Sequence, residues 1–462
     1  MKGLLIAGTA SGVGKTTVTL ALLAAMRRRG LIVQTFKGGP DFLDTGHHTR
    51  IANRIARNVD TWMLSTEANE DVLRQASQGA DAILVEGMMG LFDGKDGATE
   101  AGSSAEIAKL LRLPVVLILD AGKSARSIAA VVLGFERFDP QLPLAGVILN
   151  RVGSERHYNM LKAAIDSVCD TPVLGWLPNA AEIRIQERHL GLHSAAEADA
   201  ETTEKLIGDL GLLAEEHLDL EHLFSLECNI DLQSEFRPPQ SSKEPSLRIG
   251  VARDQAFSFY YEDNLDLLRQ HGAVIVPFSP LVDVSLPTDL DALYLGGGYP
   301  ELHAPQLSAN ETMIASIQQF ATSGLPIYAE CGGMIYLSRQ LITSDKTSHQ
   351  MAGILPFAVE TTPRLVQFGY VTVEFTRDCL LGARGTEVRG HSFHYSHIVS
   401  GDGTQTSYRV QYSLSGKEEA EGYNVGNILA SYIHLHFRAN PSVAQHFIEL
   451  ARNMKLDRTV SA

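Results

Sequence analysis

This sequence predicts two α/β domains in series, the first built on a doubly wound parallel sheet, and three observations carry the prediction. Short β-branched runs alternate with helical stretches along both halves, the pattern of βαβ units. The composition breaks once, between Gln233 and Ser246, where Pro238-Pro239 and Ser241-Ser242-Lys243-Glu244-Pro245 interrupt all apolar periodicity. And 462 residues exceed what one core supports, which favours two domains of roughly 200 residues each. The expected division is 1–232, a linker at 233–246, and 247–462.

The first half opens on Leu4-Leu5-Ile6-Ala7, a run apolar on both faces, as a strand inside a parallel sheet must be. Ala82 to Val85, Val115 to Leu119 and Gly146 to Leu149 repeat the signature at the spacing of strand–helix units. After the linker, Arg248 to Ala252 restarts the alternation, and Val274 to Val276, Ala292 to Leu295 and Pro326 to Ala329 continue it. The second domain is therefore α/β as well.

Composition excludes several functions. With 39 basic and 54 acidic residues the formal net charge is −15, which opposes broad polyanion binding and makes nucleic acid an unexpected partner. No run approaches the roughly 18 apolar residues of a membrane span, and Met1-Lys2-Gly3 leads straight into a strand without a signal-peptide layout. A cytoplasmic protein without a membrane partner is expected. Cys169, Cys228, Cys331 and Cys379 show no Cys-x-x-Cys pairing, so neither a disulfide framework nor a zinc site is indicated.

Two motifs carry chemistry. Gly8-Thr9-Ala10-Ser11-Gly12-Val13-Gly14-Lys15-Thr16-Thr17 follows a strand and opens a helix, so backbone N–H groups around Gly12 and Gly14 and the helix dipole converge on an anion. Lys15 is expected to reach phosphate oxygens, Thr16 to offer its hydroxyl to Mg²⁺, and Thr17 to complete the ATP site. Thr9 stands where the usual spacing has glycine. Carboxylates cluster at neighbouring strand ends, in Lys37-Gly38-Gly39-Pro40-Asp41-Phe42-Leu43-Asp44 and in Val85-Glu86-Gly87 through Asp93-Gly94, on the crevice side of such a sheet. As a set they favour a metal–phosphate site.

In the second half, Ala329-Glu330-Cys331-Gly332-Gly333 places a cysteine on a sharp strand-to-helix turn, where a helix N-terminus favours the thiolate. Gly297 and Gly298, with Gly332, are candidate N–H donors for an oxyanion. The base candidate lies in Ser431-Tyr432-Ile433-His434-Leu435-His436. Cys169, Cys228 and Cys379 lack such surroundings and read as packing residues.

Taken together, Gly8 to Thr17, Gly39-Pro40-Asp41, Val85-Glu86-Gly87, Gly90 to Gly94, Glu187 to Leu192, Cys331-Gly332-Gly333, Gly390-His391-Ser392-Phe393-His394-Tyr395 and Tyr432-Ile433-His434 span the chain from end to end. In these the chain resembles the cobyrinic acid a,c-diamide synthase family, which fuses a dethiobiotin-synthetase-like P-loop ATPase to a class I glutamine amidotransferase domain. The resemblance implies that glutamine is hydrolysed at Cys331, that ATP converts corrin acetate carboxylates to acyl phosphates, and that ammonia displaces the phosphate. It assigns Lys15 and Thr16 to ATP and Mg²⁺, Asp41 and Glu86 to the metal, Asp44 to the corrin carboxylate, and Asn150 to the nucleotide base. Arg188 and His189 would face the anionic corrinoid. A homodimer is among the assemblies compatible with it.

Two positions depart from the pattern. Ordinary class I glutaminases carry Glu two residues after the catalytic His, whereas this chain has His436, so the glutaminase reads as a Cys331–His434 pair without the usual orienting carboxylate. Ser392 stands where the family often has Glu. Hydrogenobyrinic acid and nickel sirohydrochlorin are alternative substrates for the same chemistry. A partitioning-type ATPase switch is the non-enzyme alternative, though Gly8-Thr9-Ala10-Ser11 lacks the early lysine of such switches.

Overall fold

The computed structural model describes residues 1–142, 144–179, 187–188, 191–192, 200–228, 247–400 and 403–461. The chain divides into two compact units, Met1–Phe236 and Arg237–Ala462. The linker expected at 233–246 lies outside the described residues. Among those residues no helix is long and apolar enough to cross a membrane.

In the first unit, strands β1 (Lys2–Gly8), β2 (Val33–Gly38), β3 (Arg57–Val59), β4 (Ala82–Glu86), β5 (Val115–Asp120), β6 (Leu144–Val152) and β7 (Val173–Pro178) form one sheet. Its order is β3-β2-β4-β1-β5-β6-β7, and every pairing is parallel. β1 lies between β4 and β5 and is buried from Gly3 to Gly8, which is why its sequence is apolar on both faces. Around the sheet run α1 (Lys15–Arg28), α2 (Leu43–Ala52), α3 (Thr66–Ala76), α4 (Ser104–Leu110), α5 (Ser127–Phe138), α6 (Glu155–Asp166), α7 (Ala200–His217) and α8 (Leu220–Ser225). α1 is buried continuously from Val18 to Met26 because it packs on α2 and α7 as well as on the sheet. A short antiparallel pair, β8 (Glu187–Arg188) and β9 (Gly191–Leu192), completes the described part.

In the second unit, β10 (Leu247–Ala252), β11 (Ala273–Phe278), β12 (Ala292–Leu295) and β13 (Ile327–Glu330) start a parallel sheet. The chain then leaves it for β14 (Ser338–Ile342), β15 (Ser348–Gln350) and β16 (Leu355–Thr361), which with β19 (Ser396–Ser400) make a separate four-stranded sheet. It returns through β17 (Gln367–Phe375), β18 (Glu387–His394), β20 (Gln405–Tyr412), β21 (Glu418–Val425), β22 (Ile428–Ser431) and β23 (Ile433–Leu435). The main sheet has the order β11-β10-β12-β13-β22-β21-β20-β17-β18-β23, parallel as far as β22 and antiparallel beyond it. Helices α9 (Glu262–Gln270), α10 (Ala304–Ala309), α11 (Glu311–Thr322), α12 (Gly332–Leu337) and α13 (Ser442–Ser461) cover it. Alternate residues of its strands feed two cores. Tyr294 and Tyr328 join Phe437 and Phe447 on one side, while Leu293, Leu295 and Ile327 join Met313, Tyr336 and Phe357 on the other.

Candidate active sites

In the first unit the turn after β1 forms a cradle built on glycines. Gly12 (φ 78°) and Gly14 (φ 94°) take left-handed conformations that a side chain disfavours. Gly14 is doubly required, since a Cβ there would meet Asn150 Nδ2 at 2.0 Å. Asn150, buried two residues before the end of β6, donates that Nδ2 to the Val13 carbonyl at 2.8 Å and so braces the turn. Arg151 adds a bond from Nη2 to the Gly12 carbonyl at 2.9 Å, a contact sequence reading missed. Lys15 is buried and directs its ammonium at the Ala10 and Met89 carbonyls. Burial, and then the nearby Lys37, lower its pKa. Met89 presents its carbonyl from a left-handed turn (φ 46°), in a loop tied to the cradle by Leu91 N–H donating to Gly8 O at 2.8 Å. Thr17 lies in the first turn of α1, half-buried.

Beside this turn β2 and β4 run parallel with Lys37 opposite Glu86, so a cation and a carboxylate meet at the same sheet edge. Lys37 Nζ donates to Asp44 Oδ2 at 2.5 Å and to Glu86 Oε1 at 3.0 Å. Glu86 Oε1 also accepts from Thr16 Oγ1 at 2.8 Å, and its Oε2 lies 2.8 Å from His48 Nε2. Glu86 is fully buried, which alone would raise its pKa, but Lys37 and His48 outweigh burial and hold it ionised. Likewise Lys37 stays protonated despite burial because Asp44 and Glu86 surround it. Asp44 goes the other way: burial and then the neighbouring Asp41 and Glu86 push it well above the carboxylate range.

The resemblance assigns Asp41 to the metal and Asp44 to the corrin carboxylate, and the two carboxylates take different places at the start of α2. Asp41 Oδ1 accepts from Leu43 N–H (2.9 Å) and Asp44 N–H (3.0 Å), the bonds of a helix cap at the start of α2. It is Asp44 that reaches Lys37, and its Oδ1 lies 3.4 Å from Thr16 Oγ1. Lys37 and His48 were not singled out from sequence, because a lysine in a strand and a histidine in a helix carry no local signal. The donors that meet here, Thr16, Asp44 and Glu86, are all oxygen and suit a hard cation. Among the described residues no three His, Cys, Asp or Glu side chains are arranged to hold a metal by themselves. Mg²⁺ bound by one or two carboxylates together with phosphates matches that arrangement. The side chain of Arg188 and all of His189 lie outside the described residues.

In the second unit Cys331 sits between β13 and α12 at φ 44° and ψ −102°, a strained conformation for a residue with a Cβ. Its amide donates to Ser431 O at 2.7 Å and its carbonyl accepts from Ile335 N–H at 3.0 Å, so sheet and helix together hold the turn. The glycines after it are forced by packing. A Cβ on Gly333 would lie 2.3 Å from Leu295 O, and one on Gly332 would lie 2.9 Å from Gly298 N. Of the expected oxyanion donors, Gly297 is otherwise engaged: its N–H donates to Phe259 O at 3.2 Å. Gly297 instead lets an imidazole in, since a Cβ there would lie 2.3 Å from His434 Cε1. Gly298 and Gly332 remain as neighbouring backbone N–H groups beside the thiol turn.

The two histidines of the closing strand part company. His434, on β23, interacts with Cys331 and with Glu330, whose Oε2 lies 3.7 Å from its Nδ1. Burial lowers its pKa, but the thiol and the carboxylate more than offset this and raise it to about 9. His436 lies with its ring 4.3 Å from that of Tyr261 and accepts from Arg438 N–H. Burial, with Arg438, pushes it down to about 3. The Gly390–Tyr395 motif also finds its place. His391 on β18 pairs across to His434 and stacks on it at 4.9 Å, with Tyr261 Oη 2.8 Å from its Nδ1. A Cβ on Gly390 would lie 2.3 Å from His434 O, so only glycine lets β18 and β23 approach there. Ser392 is buried opposite Ile433, and its hydroxyl has no hydrogen-bond partner among the described residues.

Two family models match the chain. Residues 4–192 match the CobQ/CobB/MinD/ParA nucleotide binding domain, and residues 248–442 match the CobB/CobQ-like glutamine amidotransferase domain. Curated relatives match nearly end to end. Cobyrinate a,c-diamide synthase of Syntrophotalea carbinolica is 44% identical, with 97% of this chain and 98% of that protein covered. The enzymes of the same name from Dehalococcoides mccartyi strain CBDB1 (41%; 97% and 98%) and Priestia megaterium (40%; 98% and 98%) align as fully.

Proposed function

The chain belongs to the cobyrinate a,c-diamide synthase family, and from that premise we propose that it amidates the a and c acetate carboxylates of cobyrinic acid, using ATP and glutamine, in cobalamin biosynthesis. It is a carbon–nitrogen ligase with glutamine as amido donor. The observation that carries the mechanism is the pair of preorganised sites: a buried lysine–carboxylate cluster beside the phosphate turn, and a strained thiol beside an imidazole held positive.

At the thiol site Cys331 attacks the glutamine carboxamide carbon. Gly298 and Gly332 N–H groups receive the developing oxyanion, and His434 gives its proton to the departing ammonia. Water, deprotonated by the now neutral His434, then releases glutamate from the thioester. At the phosphate site the Gly12–Gly14 turn and Lys15 hold the triphosphate, Asn150 keeps that turn in place, and the family resemblance gives Asn150 the base contact as well. Thr16, Glu86 and Asp44 would hold Mg²⁺, which when bound neutralises phosphate charge. Lys37, fixed between Glu86 and Asp44, would stabilise the phosphoryl group during its transfer to the corrin carboxylate. Ammonia then displaces phosphate from the acyl phosphate, one carboxylate at a time.

The test is mass spectrometry of products from cobyrinic acid, hydrogenobyrinic acid and nickel sirohydrochlorin supplied with ATP, Mg²⁺ and glutamine. Two acid-to-amide conversions per ring on cobyrinic acid, with a matching yield of glutamate, are expected. Turnover confined to either of the other rings would reassign the substrate.

A further inference from the structure

Sequence reading leaves the thiol–imidazole pair without an orienting carboxylate, since His436 occupies the usual position. The structure supplies a carboxylate from elsewhere. Glu330 is the last residue of β13, directly before Cys331, and is 1% exposed. Its Oε1 accepts from Tyr328 Oη at 2.6 Å and from Leu435 N–H at 3.1 Å. Its Oε2 accepts from Tyr294 Oη at 3.0 Å and lies 3.7 Å from His434 Nδ1. One side chain thus ties the strand that carries the nucleophile to the strand that carries the imidazole. A carboxylate opposite Nδ1 requires the proton there, which leaves Nε2 to exchange protons with the thiol and the leaving ammonia. A gap of 3.7 Å is longer than a hydrogen bond, but catalytic contacts commonly tighten only once substrate is bound.

We propose that Glu330 is the positioning residue for His434, doing from the nucleophile's own strand what a carboxylate two residues after the histidine does in ordinary class I glutaminases. This rests on the Cys331–His434 reading above. The other titratable groups facing His434 cannot substitute. Burial pushes His391 far below its usual range and His394 down to about 4, so both are neutral, and Cys331 is the reaction partner itself. Tyr294 and Tyr328 stay protonated, held far above the phenol range first by burial and then by Glu330, and so act as fixed donors.

The experiment is the pH profile of glutaminase kcat/KM in the full chain. Glu330→Gln keeps an oxygen for Leu435 N–H but turns an NH₂ toward His434 Nδ1, which favours the wrong tautomer. A loss on the order of 10²–10⁴-fold is expected. The alkaline limb, set by His434 near pH 9, should move down by roughly 1–3 pH units as the opposite charge is lost. Tyr294→Phe keeps the carboxylate and removes the donor that competes for Oε2, so its limb should move the other way. A purely structural role would lower activity without these opposed shifts. An unmoved limb in folded Glu330→Gln overturns the proposal. If that variant does not fold, Tyr294→Phe decides: an alkaline shift supports the proposal and no shift overturns it. His434→Ala run alongside separates the premise, because glutaminase retained there would overturn the Cys331–His434 reading itself.

Discussion

Replacing Lys37 by Met tests the acidic cluster most directly, because the stem is kept and only the charge is lost. In the native site the Lys37 side chain is 4% exposed, with one carboxylate oxygen at 2.5 Å and another at 3.0 Å. Removing one partner from such a buried arrangement costs about 3–5 kcal/mol, since the remaining charges lose their compensation. Two features favour the lower end. Asp44, already pushed up, can take a proton, and Glu86 keeps His48 at 2.8 Å. A loss of about 3 kcal/mol in a unit of this size lowers Tm by roughly 6–12 °C. The loss depends on pH. Glu86 has its pKa lowered in the fold, so the stability it gains from Lys37 is present above the unfolded carboxylate pKa and fades as pH falls through the folded one. The Tm gap between parent and variant should therefore narrow on acidification. ATP-dependent amidation should fall on the order of 10³-fold, as when a cation that stabilises phosphoryl transfer is removed. Calorimetry at neutral and acidic pH, with ATP turnover measured in parallel, checks both. A variant with parental Tm at neutral pH and parental amidation would refute the placement of Lys37 in a charged catalytic cluster.

Glu86→Gln can keep its oxygen toward Thr16 and Lys37, so it should fold while losing amidation and ATP turnover by several orders of magnitude; glutamine hydrolysis should persist, and normal amidation at saturating ATP and Mg²⁺ would remove Glu86 from the site. Cys331→Ala should abolish glutaminase yet retain synthesis from free ammonia, because the acyl phosphate needs only NH₃; loss of the ammonia reaction in folded protein would count against two chemically separable sites. His434→Ala should cost 10²-fold or more, on the order expected for loss of a general base, and His436→Ala clearly less, since His434 interacts with the thiol whereas His436 packs on Tyr261. A larger loss at His436 in a side-by-side glutaminase assay reverses that assignment.

Most strands of the first unit's parallel sheet and of the parallel half of the second were legible because a strand buried on two faces must be apolar on both, as in Val115–Leu119 or Ala292–Leu295. The antiparallel half of the second unit was not. Its strands alternate, as in Gln405–Tyr412, where buried Tyr408, Val410 and Tyr412 are interleaved with exposed Arg409 and Gln411, and short alternating runs resemble loop sequence. β7 escaped notice for another reason: Gly175 at φ 128° breaks a run whose pairing depends on neighbours distant in sequence. The motifs that hold Lys15, Thr16 and Cys331 were readable from the glycines around them, since Gly14, Gly332 and Gly333 stand where a Cβ would collide. Residues whose role depends on what lies across the sheet were not. Lys37 looks like any strand lysine until β4 brings Glu86 opposite it, and Glu330 looks like a strand-end acid until β23 brings His434 near.

Both sites share one construction. In each, the reactive group follows a parallel strand flanked on both sides, at the carboxyl edge of the sheet, where helix N-termini and backbone N–H groups gather. Each also departs from ordinary local preference. Cys331 and Met89 hold positive φ angles, conformations that cost on the order of 1–3 kcal/mol each, Lys37 holds charge in the interior, and the polar side chain of Glu330 is buried. Such departures persist only where the surroundings over-determine them. Around Cys331 the constraint comes from β13, β22 and α12 together with the close approach of Gly333 to Leu295; around Lys37 it comes from the β2–β4 register and the cap of α2. Relaxing either site would raise local stability, so the strain and the buried charge mark what folding alone would not select. A thiol turned out of its strand and an ammonium held between carboxylates are arrangements whose use lies in acyl and phosphoryl transfer, the two reactions an amide ligase fed by glutamine must combine.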